Sequence, residues 1–143
     1  MTMPRRTSTS LAAGVVMLAL TVAIPVVALA AMDGSTPMLC SITTVMECDA
    51  AGQCVRITPD VHPDFPSFLK VNVPQKTITA GTGPDGRKSE IKAVSRIDGR
   101  LVLTGGENGR GWAATVAEDT GRLSAGIVTD AFAFTLFGAC TTP

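Results

Sequence analysis

His62 is the only histidine of the chain, and it alternates with Asp60 and Asp64 in a stretch that also holds Pro59, Pro63 and Pro66. In an extended segment alternate side chains point the same way, so one imidazole and two carboxylates could converge on a divalent transition metal. A complete site wants a further ligand, and a solvated, proline-stiffened loop accounts for the same residues without one. His62 is also the only imidazole base open to a serine nucleophile. No serine sits in a G-x-S-x-G elbow, and nothing in the loop positions Ser67 against His62. None of the twelve acidic residues is singled out as a catalytic pair.

Four cysteines remain as candidate chemistry: Cys40, Cys48, Cys54 and Cys140. Their spacings lack the close pairs a zinc site uses. An even count in an exported domain reads as two disulfides, which disfavours thiolate catalysis.

The run Gly105-Gly106-Glu107-Asn108-Gly109-Arg110-Gly111 invites a phosphate-cradle reading. It fits neither the P-loop nor the dinucleotide fingerprint, and no helix follows to supply a dipole. A hairpin turn with Asn108-Gly109 at its tip fits better. Such a tip would present Glu107, Asn108 and Arg110, with Trp112 adjoining, as the best candidate recognition surface. Trp112 taken alone reads as core. Phe132, Phe134 and Phe137 form the densest aromatic cluster, either the wall of an apolar cavity in a barrel mouth or ordinary core packing.

The elements that must position these residues read as strands. From Leu39 onward short apolar or alternating runs are separated by turn residues, with a period nearer 2 than 3.6. Strands are expected over 39–48, 54–58, 68–73, 77–80, 90–97, 101–104, 112–117, 123–129 and 132–140. A three-residue loop, Ala50-Ala51-Gly52, joins the first two, with Gly52 in the left-handed region. That register sets Cys48 opposite Cys54, within bridging distance, and leaves Cys40 for Cys140. It also sets Met46 beside Arg56, a mismatch that a bulge or twist would relieve. Gly83-Pro84-Asp85-Gly86 and Asp98-Gly99 are turn signals. The fold class is therefore all-β, a small antiparallel meander closing into a barrel or a sandwich.

The start of the chain concerns compartment. Arg5 and Arg6 precede a run from Leu11 to Met32 without a charge, ending in Ala28-Leu29-Ala30, and Pro25 breaks the helix before that site. This is the pattern of a signal peptide over residues 1–30, with an uncleaved anchor as the alternative. Residues 31–38 read as a flexible leader and 39–143 as a single β domain, periplasmic or secreted. Without Arg5 and Arg6 that domain has a slight excess of acid, which argues against nucleic acid or an anionic membrane surface as partner. A membrane enters only if the N-terminal segment stays uncleaved.

The segments Asp98-Gly99-Arg100-Leu101-Val102-Leu103, Glu107-Asn108-Gly109-Arg110-Gly111-Trp112 and Phe137-Gly138-Ala139-Cys140-Thr141, with the early cysteine pair, resemble a group of small exported bacterial proteins. The resemblance implies export and a β domain, and carries no activity. The functional expectation is a non-enzymatic binding module, without a cofactor, for an envelope protein or a small apolar ligand. A structural envelope protein without a discrete site comes second. A metal-binding or hydrolytic protein using the Asp60, His62 and Asp64 loop comes third.

Overall fold

Alternating apolar residues separated by tight turns here form a sheet that curls until its edges meet. The computed structural model describes residues 32–62, 65–81 and 86–143. The reading of residues 1–30 as a signal peptide, the Gly83-Pro84-Asp85 turn and Asp64 lie outside the described residues.

Among the described residues there are nine strands: β1 (Met38–Asp49), β2 (Cys54–Ile57), β3 (Phe68–Asn72), β4 (Thr77–Ala80), β5 (Lys88–Ile97), β6 (Arg100–Glu107), β7 (Arg110–Ala117), β8 (Arg122–Val128) and β9 (Phe132–Thr141). All pairings are antiparallel. The order runs β2-β1-β3-β4-β5-β6-β7-β8-β9, and a further pairing of β1 with β9 closes an eight-stranded barrel. β2 is the extra strand; it pairs with the second half of β1, whose first half pairs with β3. The fold is thus a barrel rather than a sandwich.

Two irregularities in the ladder set which side chains enter the barrel. Between Ile42 and Thr44 the β1–β9 register shifts, leaving Thr43 as an extra residue whose hydroxyl donates to the carbonyl of Phe137 at 3.1 Å. A bulge reverses the alternation of faces. Before it Met38, Cys40 and Ile42 face the core; after it Val45 does, and Met46 and Cys48 turn outward. Met46 therefore pairs with Arg56 on the outer face, with no bulge at that point. A second register shift in β5 leaves Lys92 extra.

The structure joins Cys40 to Cys140 and Cys48 to Cys54. The first bridge lies in the core between first and last strands; the second ties the β1–β2 hairpin on the outside. The pairing agrees with the one the hairpin register implies. Two disulfides are compatible with an oxidising, exported compartment.

The core runs through Ile91, Leu101, Leu103, Val116, Leu123 and Leu136. One end of the barrel is closed by the segment before β1. Met32 packs against the core and its amide donates to the carbonyl of Glu118 at 3.0 Å. Gly34 is buried with φ 76°, and a Cβ there would come within 3.0 Å of Val73 and 3.1 Å of Leu101. Arg96 reaches across this end, with Nε 3.3 Å from Glu118 and its guanidinium donating to the carbonyl of Asp33. Met38, read from the sequence as the end of a leader, opens β1 in the core.

Candidate functional site

The opposite end of the barrel gathers the β6–β7 turn, the β8–β9 turn and the loop from Thr58 to Ser67. The glycine-rich run proves to be mostly strand. β6 continues to Glu107 and β7 starts at Arg110, so only Asn108 and Gly109 form the turn. Their φ values of 49° and 77° are the left-handed pair that a type I′ hairpin requires. Gly106 pairs with Gly111 and Gly105 with Trp112 inside the ladder. Gly105 has a packing reason: a Cβ there would sit 2.3 Å from Cζ2 of Trp112 and 2.6 Å from the carbonyl oxygen of Glu90. The indole lies against bare backbone.

Strand alternation then turns Glu107, Arg110 and Trp112 toward the lumen, and all three line a cavity of about 110 Å³ inside the barrel. Its deeper wall is apolar, with Leu103, Ala114, Val116, Leu123 and Leu136, and its polar groups gather at the mouth. There Ser89 Oγ donates to Glu107 Oε1 at 2.5 Å, and Arg87 completes the rim. The indole Nε1–H of Trp112 is sealed from solvent without an acceptor among the described residues. Of the candidate recognition residues, Glu107, Arg110 and Trp112 thus meet at one cavity. Asn108 sits outside it, on a neighbouring groove with Thr129, Asp130, Phe132 and Arg110.

Phe65 plugs the mouth. It is 4 % exposed, with its ring 4.9 Å from that of Phe134 and 5.4 Å from that of His62. Nothing in the spacing of the proline-rich loop singled this residue out; an apolar residue among prolines is its one signal. The aromatic cluster expected from the sequence is divided. Phe134 turns inward, whereas Phe132 is 42 % exposed at the rim and Phe137 is 45 % exposed on the outer face. The β8–β9 register is unbroken, so Phe137, an odd number of residues from Phe134, must face the other way.

The loop carrying Asp60 and His62 is turned rather than extended. Asp60 has φ 65°, its amide donates to the Phe65 carbonyl at 2.7 Å, and the Phe65 amide donates to the His62 carbonyl at 3.1 Å. The alternation that would aim Asp60 and His62 together is therefore lost. The Asp60 carboxylate accepts from both the hydroxyl and the amide of Ser67, and these bonds hold its pKa below the ordinary value. Among the described residues no cluster of three or more histidine, cysteine or acidic side chains could hold a metal ion.

The arrangement can enclose a small apolar body beneath a polar rim. Comparison with family models, with curated proteins and with solved structures finds no match, so this geometry is the ground on which function is argued.

Proposed function

We propose that the domain is an exported, non-enzymatic binding protein, acting in the periplasm or outside the cell, that holds a small and mostly apolar ligand inside its barrel. The observation that carries this reading is the apolar cavity of about 110 Å³ at the end where Ser89, Glu107 and Arg110 collect. An eight-stranded barrel has room either to fill its lumen with side chains or to keep space for one small ligand, and this lumen keeps space. The opposite end is closed by Met32 and Gly34, so a ligand would enter at the rim, past Phe65.

Filling the cavity tests the reading. Ala114, on the cavity wall, is replaced by Leu. Apolar molecules of four to six non-hydrogen atoms should raise the Tm of the wild type and leave that of Ala114→Leu unchanged, because a ligand that binds only the folded state stabilises it. Equal responses from the two proteins, or none from the wild type, overturn it.

A second reading, docking of an envelope protein at the same end, is favoured by the groove that joins Asn108 and Arg110 to Phe132, beside Val128, which is 56 % exposed. Under that reading Phe132→Ala, which lies on the groove and not on the cavity wall, weakens partner capture while leaving the ligand response in place.

A further inference from the structure

Outward positions of an antiparallel sheet ordinarily carry the polar and charged residues that meet water. On this barrel the charges are segregated to one side. Across β3, β4 and β5 the outer face holds Lys70 and Lys88, flanking Thr79, and Glu90, opposite Thr77. The outward positions of β7, β8 and β9, from Gly111 to Thr115, from Ser124 to Val128 and from Ala133 to Ala139, hold none. In place of charge that face carries Phe137, 45 % exposed, and Val128, 56 % exposed. Beside Phe137 it is hollow, for Ala113 pairs with Gly126 and Gly111 with Val128. Neither glycine has a positive φ, and an added Cβ would meet nothing nearer than 3.8 Å at Gly111 and 3.9 Å at Gly126. The chain's own packing therefore requires neither. A glycine inside a strand weakens it, and often marks a place where another backbone or a ligand comes close.

We propose that this outer face joins two copies of the chain across a two-fold axis, with Phe137 of each copy seated in the Gly111, Ala113 and Gly126 hollow of the other. The proposal is independent of the ligand reading of the lumen. A two-fold contact is self-complementary, so projection and hollow must lie on one face, as they do here. Charge selects the occupant: this face meets its own image without burying a charge, which the face of β3 to β5 cannot do. Each of β7, β8 and β9 is paired on both sides, so the second copy packs on the face and does not extend the sheet. Three strands about 4.8 Å apart and about six residues long span roughly 15 Å by 20 Å. That is well under the ~800 Å² that each partner gives to a stable complex, so the dimer is weak and reversible.

Standard interfaces reach micromolar affinity or better, so a smaller one calls for protein at about 10 µM to 1 mM. Sedimentation of the protein expressed from its full sequence should show the mean mass rising over that range toward a dimer. Gly126→Val fills the hollow and should weaken association about tenfold or more, as the loss of an anchor contact does. Its Tm in dilute solution should stay level or rise, because valine suits a strand better than glycine. Phe137→Ser should weaken association equally, and Thr79→Glu, on the charged face, should leave it unchanged. In a mixture of isotope-labelled and unlabelled protein, NMR contacts between copies should join the Phe137 ring to Gly126. A wild type that stays monomeric throughout overturns the proposal, as does a dimer that Gly126→Val and Phe137→Ser leave intact or that Thr79→Glu weakens as much. A monomer that binds phosphatidylcholine vesicles, and loses them in Phe137→Ser, also overturns it and assigns the face to lipid.

Discussion

At the scale of single residues, the site depends on a contact that has no side chain on one half of it. Gly105 is where the β6 backbone touches the indole of Trp112, and its Cβ position is occupied by ring atoms at 2.3 and 2.5 Å. Gly105→Ala should therefore destabilise the fold by about 1–3 kcal/mol, the cost of overpacking. Denaturant unfolding followed by Trp112 emission checks it. Gly109→Val should lose about 1–3 kcal/mol for a different reason, since a β-branched residue is forced to φ 77° where open space surrounds it. Asp60 gives a prediction in pH. Its folded pKa is lowered, chiefly by the Ser67 hydroxyl and then by the Ser67 amide. A depressed carboxylate contributes stability that is present above its unfolded pKa, 3.8 for Asp, and is lost as pH falls through the folded value. Titration followed by NMR should find Asp60 below the ordinary range, and Ser67→Ala should raise it.

At the scale of elements, legibility depended on whether a feature has a local signature. Asn108-Gly109 and Asp98-Gly99 were readable as turns because only a few residue types tolerate two successive positive φ values, and both turns have them. Strand positions followed from alternation, as in Trp112, Ala114 and Val116. The bulge at Thr43 was not readable. Nothing in Leu39–Cys48 marks an extra residue, because a bulge is a relation between two strands that are remote in sequence. The cavity was unreadable for the same reason: it is the volume left over among Ile42, Leu103, Val116 and Leu136, which come from four strands. The bulge also explains how one strand sends Cys40 inward and Cys48 outward. Deleting Thr43 removes the bulge and also makes the step from Cys40 to Cys48 odd, which keeps Cys40 inward and Cys48 outward in a regular strand, so both bridges should still form. Thiol titration of the unfolded chain should then find no reactive cysteine, as in the wild type.

At the scale of the whole molecule, the ladder that closes the barrel joins the first and last strands of the described domain. β1 pairs with β9 over almost its entire length, from Leu39 opposite Thr141 to Asp49 opposite Phe132. Cys40–Cys140 locks that seam across a sequence separation of 100, and Cys48–Cys54 spans only 6. Chain-entropy arguments assign the long loop ~4.7 kcal/mol and the short one roughly half of that. Cys140→Ala should therefore lower Tm more than Cys54→Ala, measured by calorimetry under identical conditions. The long bridge also makes the chain from β1 to β9 a covalent ring. A protease that cuts once within that ring, for instance at the exposed Asp98-Gly99 turn, releases no fragment: the product gains one water in mass and keeps a single molecule. Two cuts, or one cut followed by a reductant, are needed before any piece can leave. In an environment rich in extracellular proteases such a barrel would be nicked well before it is lost.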